Sequence, residues 1–143
     1  MLSALSDEGA EYLLVGSFAL AAYGCPRATL DMDIWVGSSL DNGRRVWTAL
    51  AKYGVPLRDI APEDFTKPGL VFQVGVAPFR IDVLTSIDGV EFANAWSHHT
   101  WTEVDGLRVP VLSREDFVKN KRATGRYKDL ADLELLGELD PKP

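Results

Sequence analysis

The sequence predicts an α/β fold, in which a small twisted mixed β-sheet has helices packed against it. Residues 30–36 (LDMDIWV) alternate in character with a period of two, which is typical of a strand. Residues 38–53 carry apolar side chains at helical spacing behind a capping signal. Asp105-Gly106 lies between two apolar runs and predicts a β-hairpin. A chain of 143 residues is expected to form one domain over residues 1–143.

Five elements are predicted before residue 54. In order they are a helix over 2–8, a strand over 12–15, a helix over 18–23, a strand over 30–36 and a helix from the Ser38-x-x-Asp41 cap to about Tyr53. Gly16-Ser17 interrupts the chain between the first strand and the second helix, and Gly24 ends that helix. Residues 54–69 contain three prolines and two glycines and are predicted to be a loop.

The second half of the chain continues the α/β pattern and ends in a pair of helices. The predicted elements are strands over 71–76 and 80–84 with Pro78 near their turn, a helix over 90–97, strands over 99–104 and 107–112, a helix capped by Ser113-x-x-Asp116, and a last helix from Tyr127 to about Leu139. Gly125 separates the last two helices, which form a C-terminal helical pair.

Charge and composition exclude several classes of protein. The net charge is −6 and the pI is about 4.8, so an extended nucleic-acid-binding face is not expected. Residues 119–128 nevertheless hold five Lys or Arg and no acid, which leaves room for a pocket that binds one triphosphate. No segment approaches the ~18 apolar residues of a membrane span, and no signal peptide is evident. Because Cys25 is the only cysteine, a reducing cytoplasmic location is expected.

Three aspartates lie within predicted apolar strands, where this residue type is depleted. Asp31 and Asp33 share one strand face, roughly 6–7 Å apart by strand rise. Asp82, in FRIDVLT, is in the middle of another strand. Together they predict a two-metal carboxylate site for Mg²⁺, with Mn²⁺ as an alternative. A purely structural alternative is that the aspartates are exposed at strand edges or pair with Arg27 and Arg80.

Gly16-Ser17 follows a strand and opens a helix. This geometry presents backbone N–H groups to an anion, and the serine hydroxyl adds a further donor. A Gly-Ser pair alone is more often a plain turn with a serine cap. Its position ahead of Asp31 and Asp33 makes it a candidate phosphate-binding turn.

The order of these motifs resembles a known superfamily. Gly16-Ser17, then thirteen residues, then D-x-D, in YLLVGSFALAAYGCPRATLDMDIWV, resembles the first motif of the polymerase-β-type nucleotidyltransferases. The G-x-P-R-A-T-x-D-x-D run is similar to the minimal and abortive-infection (AbiEii) toxin-like branches. FRIDVLTSIDGVEF resembles the strand with the third aspartate, and SREDFVKNKRATGRYKDLADLELL resembles the C-terminal helical motif. The likeness covers nearly the whole chain and implies the nucleotidyltransferase fold.

The resemblance also implies roles for individual residues. The residues implied to be catalytic and to bind metal are Asp31, Asp33 and Asp82, with Asp82 also a candidate base for the acceptor hydroxyl. The residues implied to bind nucleotide are Gly16, Ser17 and Lys121, the last through the β- or γ-phosphate. Arg27 either reaches the phosphates or pairs with Asp31 or Asp33.

The function expected from this resemblance is Mg²⁺-dependent transfer of an NMP from an NTP, such as ATP, to an acceptor hydroxyl. The acceptor is left open among a tRNA end, a protein and a small molecule. A role in a toxin–antitoxin pair is also expected. The alternative is a non-catalytic nucleotide-binding or partner subunit of such a two-component system. Phosphatases of the haloacid dehalogenase type also use D-x-D, but they have a small Thr or Val where Trp35 stands.

Overall fold

The computed structural model describes residues 1–25, 31–75 and 80–138. The α-helices in these ranges are α1 (Leu2–Asp7), α2 (Gly16–Ala22), α3 (Leu40–Tyr53), α4 (Phe92–Ser97), α5 (Arg114–Thr124) and α6 (Tyr127–Leu135). The strands are β1 (Tyr12–Val15), β2 (Met32–Val36), β3 (Val71–Val74), β4 (Ile81–Leu84), β5 (Thr100–Val104) and β6 (Leu107–Val111). The predicted α/β class is confirmed. No helix in the described ranges has the length and apolar character that crossing a bilayer requires.

The six strands form one mixed sheet in the order β3-β4-β2-β1-β6-β5. β2 and β4 are parallel, as are β1 and β6, whereas β1 with β2, β3 with β4 and β5 with β6 are antiparallel. The last of these pairs is the predicted hairpin. Its turn residues Asp105 and Gly106 both have positive φ angles, of 50° and 82°, as a type I′ turn requires.

The two faces of the sheet are covered differently. The face that carries Tyr12 packs against α1, where the tyrosine hydroxyl and Ser6 Oγ are 2.8 Å apart. On the same face, Phe72 meets Phe65 edge-on at 6.4 Å. The opposite face carries Trp35, which is fully buried and meets Phe92 of α4 edge-on at 5.0 Å. The apolar core therefore continues through both faces of the sheet.

Three local predictions need correction. The segment predicted as a loop over 54–69 contains a 3₁₀ helix, Pro62–Thr66, whose first turn is capped by the Asp64 carboxylate accepting from the Ala61 N–H at 2.8 Å. The cap of α3 is Ser39 rather than Ser38, because the Ser39 hydroxyl accepts from the backbone N–H of Asn42, three residues later, at 3.1 Å. α2 begins at Gly16, two residues earlier than the pattern indicated. Several predicted features lie outside the described residues: Leu30, Val76, Pro78 and Leu139.

Helices α5 and α6 are joined by buried charges. Lys121 of α5 is 5% exposed, and its Nζ lies 3.2 Å from Asp129 and 3.3 Å from Asp132, both of α6. Arg126, in the turn between the helices, donates from Nε to Asp129 Oδ2 at 2.8 Å. Ionised groups are expensive to bury unless they are paired, so these contacts fix the angle at which α6 returns along α5.

We expect Lys121→Met to destabilise the fold by roughly 3–5 kcal/mol, because it removes a buried cation and leaves two carboxylates without it. Urea denaturation followed by circular dichroism measures the change. Lys119→Met, at an exposed position of the same helix, is the matched control and is expected to change stability by less than about 0.5 kcal/mol. Equal denaturation midpoints for the two variants would show that the ion pairs do not hold α5 to α6.

Candidate active site

Two of the predicted aspartates are direct neighbours in the sheet. Asp33 of β2 and Asp82 of β4 occupy paired positions of the parallel ladder. Paired residues on neighbouring strands project from the same face, with about 4.8 Å between the strands. The Asp82 side chain is only 13% exposed, whereas that of Asp31, just before β2, is 47% exposed. The topology therefore places two carboxylates side by side on one face, with a third at the strand start.

Arg80 contacts two of these aspartates. Its Nη2 lies 3.5 Å from Asp31 Oδ2, and its Nε lies 3.2 Å from Asp82 Oδ1. The second contact is an ion pair without hydrogen-bond alignment, so the buried Oδ1 atom makes no hydrogen bond within the part of the chain that the structure describes. The pairing with Arg80 that the sequence allowed as a structural alternative is therefore present. It places a guanidinium at the edge of the carboxylate group.

Asp33 has a perturbed acidity. Burial raises the pKa of its carboxyl above the ordinary value of 3.8, and the nearby charges of Asp82 and Asp31 raise it further. Lys128 and Lys121 oppose this rise. An ionised Asp33 therefore destabilises the folded protein in the absence of a bound cation. Any positive charge that approaches it stabilises the ionised form.

Gly16 lies against the Asp33 carboxylate. Its φ is +63°, and a β-carbon at this position would lie 2.5 Å from Asp33 Oδ2. The antiparallel register explains the proximity, since Val15 at the end of β1 pairs with Asp33. Only glycine satisfies both the positive φ and the close approach. The fold thus brings the Gly16-Ser17 turn and the Asp33 carboxylate together.

A cleft of about 370 Å³ extends from this turn between the sheet and the last two helices. One end is lined by Gly16, Ser17 and Asp33. The sheet wall and the adjoining segment contribute Val15, Val71, Leu84, Ser86, Ile87 and Asp88. The helical wall contributes Asn120, Lys121, Thr124, Arg126 and Lys128. The Asp33 carboxylate thus shares the cleft with three cations of the helical wall.

The cations of this wall differ in their surroundings. Lys121 was indicated by the sequence, and it lines the cleft, but its charge is offset by Asp129 and Asp132. Lys128 is exposed, and its field acts on Asp33. The basic run 119–128 was the one signal that could have pointed to Lys128.

Arg27, a predicted phosphate contact, and Trp35, a neighbour of Asp33 in β2, do not add to the described site. Arg27 lies outside the described residues, so its part in the site stays a prediction. Trp35 shares the strand face of Asp33, but it is buried among core side chains and does not line the cleft.

The carboxylates suit an oxygen-ligated divalent cation. Mg²⁺ is usually held by one or two carboxylates together with waters and substrate phosphates, and Asp33 and Asp82 supply such a pair. The buried Asp82 Oδ1 atom, which makes no hydrogen bond to the described residues, is an oxygen ligand of the kind that such a cation prefers. Across residues 1–25, 31–75 and 80–138, no three or more His, Cys, Asp or Glu side chains are assembled as a ligand set. Asp33 and Asp82 therefore fit such a cation as a pair, with Arg80 beside them.

Comparison with solved structures identifies the fold. A protein of Thermotoga maritima assigned to the nucleotidyltransferases superposes with a TM-score of 0.64 at 15% identity, over 93% of this chain and 85% of that one. The lincosamide antibiotic adenylyltransferase LnuA, in its lincomycin-bound structure, superposes with a TM-score of 0.59 at 14% identity, over 97% of this chain and 93% of that one. No family model matches the sequence. No curated protein matches it significantly either. The chain has the nucleotidyltransferase fold.

We expect Asp33→Asn to raise the melting temperature at pH 7 in EDTA. Because the pKa of Asp33 is raised in the folded protein, the native state binds its proton more tightly than the unfolded state. The free energy of unfolding of the unmodified protein therefore falls as pH rises from the ordinary pKa of an aspartate through the raised pKa of folded Asp33. The asparagine variant avoids this fall. Scanning calorimetry across the acidic and neutral range measures it, with Asp59→Asn in an exposed loop as control. A variant advantage that grows towards low pH would contradict the assignment.

Proposed function

We propose that this protein is a Mg²⁺-dependent nucleotidyltransferase that transfers an NMP from an NTP to an acceptor hydroxyl. The observation that carries the proposal is that Asp33, the ladder partner of Asp82, lines a cleft together with the Gly16-Ser17 turn and a cationic helical wall. The fold shared with LnuA, an adenylyltransferase, supports this chemistry. The fold alone does not establish it, since one fold serves many functions.

The cleft supports binding of one nucleotide. Its volume of about 370 Å³ lies within the usual range for small-ligand sites. In the proposal, Gly16 and Ser17 donate to the triphosphate, Lys121 contacts its β- or γ-phosphate, and Lys128 supplies positive charge against it. Arg27 is retained as a further phosphate contact on the family resemblance alone. Such a wall is needed because the chain as a whole, at −6, repels a polyanion.

The proposed metal ligands are Asp33 and Asp82, with Asp31 as the third, and the metal is Mg²⁺ or Mn²⁺. When bound, such an ion neutralises phosphate charge and stabilises the attacking and leaving oxygens. Asp82 accepts the proton of the acceptor hydroxyl. The acceptor oxygen bonds to the α-phosphorus, the bond from that phosphorus to the bridging oxygen breaks, and pyrophosphate leaves.

The finer identity of the protein is proposed from the sequence resemblance. The abortive-infection toxin-like branch and a toxin–antitoxin role rest on the G-x-P-R-A-T-x-D-x-D run, part of which lies outside the described residues. The acceptor is a tRNA end, a protein hydroxyl or a small molecule. A non-catalytic nucleotide-binding subunit is the second candidate, and it is favoured by the contacts of Arg80 with Asp31 and Asp82.

One experiment separates the two candidates. The protein is incubated with each α-labelled NTP, with Mg²⁺ or Mn²⁺, and with a cell extract fractionated into RNA, protein and small molecules. Transfer of label to one fraction supports the transferase and identifies its acceptor class. Metal-dependent NTP binding with label in no fraction supports the non-catalytic subunit.

We expect Asp82→Asn to lower the transfer rate by about 10²–10⁴-fold, the usual contribution of a positioned general base. The substitution keeps the side-chain shape and removes the charge. Nucleotide binding is expected to persist, as measured by equilibrium dialysis. Asp59→Asn, in an exposed loop between α3 and the 3₁₀ helix, is the matched control and is expected to retain full activity. Full activity of Asp82→Asn would remove this residue from the mechanism.

We expect Lys128→Ala to weaken NTP binding roughly tenfold, because a hydrogen bond to a charged group contributes about 1.5 kcal/mol. Isothermal titration with a non-hydrolysable NTP analogue measures the affinity. The control is Lys119→Ala, which removes the same charge from an exposed position of α5 outside the cleft. If the two variants lose affinity for the NTP analogue equally, the loss reflects net charge alone. The phosphate contact then belongs to another cation.

A further inference from the structure

We propose that Arg80 is a positioning residue that acts as an internal counter-ion of the carboxylate site and competes there with the divalent cation. This inference rests on the proposed function, since it concerns the same site. It assigns to Arg80 a role beyond a structural ion pair. In the metal-free protein the guanidinium holds Asp31 and Asp82, and it gives up Asp82 when a cation binds.

The position of Arg80 is set by the sheet. Its carbonyl oxygen accepts from the Met32 N–H at 3.0 Å, which anchors its backbone beside the start of β2. Asp82 is two residues further along the same chain direction, so the two side chains leave the same face of the strand. The backbone hydrogen bond thus fixes the point from which the Arg80 side chain extends, next to the carboxylates.

The local charge balance requires a cation at this place. Asp33 and Asp82 occupy paired positions of neighbouring strands and Asp31 directly precedes β2, so three carboxylates lie close together. Arg80 is in ion-pair contact with two of these carboxylates, Asp31 at 3.5 Å and Asp82 at 3.2 Å. Its single charge reduces their mutual repulsion without cancelling it.

Arg80 and a divalent cation need the same oxygen atom. Asp82 Oδ1 is buried, lies 3.2 Å from Arg80 Nε, and makes no aligned hydrogen bond with it. The contact is thus weaker than a bidentate arginine–carboxylate pair, and the oxygen keeps its lone pairs available. A divalent cation bound at this oxygen would face the guanidinium at close range, so the two positive groups exclude one another.

The test is Mn²⁺ binding by the metal-free protein, followed by the electron paramagnetic resonance signal of free Mn²⁺. We expect Arg80→Gln to bind Mn²⁺ about fivefold more tightly than the unmodified protein, the scale of one partly exposed ion pair. Arg44→Gln removes the same charge from an exposed position of α3 and controls for net charge. Asp82→Asn should weaken binding and so locate the measured site. No nucleotide or acceptor is needed.

A second readout is thermal stability in EDTA, where Arg80→Gln should melt below the unmodified protein because the carboxylates lose their counter-ion. Mn²⁺ should then raise its melting temperature by more than that of the unmodified protein. Should Arg80→Gln not fold, Arg80→Lys is expected to bind Mn²⁺ more tightly than the unmodified protein, since an ammonium lacks the planar fork that spans two carboxylates.

Affinity of Arg80→Gln equal to that of Arg44→Gln would overturn the inference and leave the proposed function standing. Weaker binding by Arg80→Gln would also overturn it, since Arg80 would then help to hold the cation. If neither the unmodified protein nor Arg80→Gln binds Mn²⁺ at millimolar concentration, both the inference and the metal-dependent function are wrong.

Discussion

The repulsion between carboxylates on adjacent parallel strands is the constraint on which the rest of the site depends. Asp33 and Asp82 are held in register by backbone hydrogen bonds, so they cannot move apart without breaking the ladder between β2 and β4. Burial strengthens the repulsion because it lowers the local dielectric constant. Positive charge must therefore come from elsewhere in the chain, and the structure supplies it from Arg80 and from the last two helices.

The last two helices supply that charge because buried ion pairs between them set their relative position. Lys121 is neutralised by Asp129 and Asp132, which fixes α6 against α5 in a low-dielectric contact. This arrangement carries Lys128 to the cleft, where its field acts on Asp33. A buried ion pair adds little net stability by comparison with apolar packing, so its value here lies in geometry. Loosening α6 would weaken the cationic wall even if every lysine were kept.

Local rules were sufficient to predict most of the fold. The alternation in residues 30–36 indicated β2 and the face of Asp33, because a strand's side chains must alternate. Asp105-Gly106 indicated the hairpin, and Ser113 indicated the start of α5, which its hydroxyl caps at the Asp116 N–H. The prediction was wrong where local rules competed. Two adjacent serines could each cap α3, and Pro62, one of three prolines that suggested a loop at 54–69, instead begins a 3₁₀ helix.

The sequence by itself determined the six α-helices, the six strands and the strand face of Asp33, since each follows from contacts within a few residues. The tertiary structure alone decided which strands are neighbours and thus that Asp33 pairs with Asp82. It also decided that Lys121 is buried between two acids while Lys128 faces the cleft. The physical reason is that the interaction between two charges depends on their distance in space and on how deeply they are buried. The spacing of residues along one chain segment determines neither quantity.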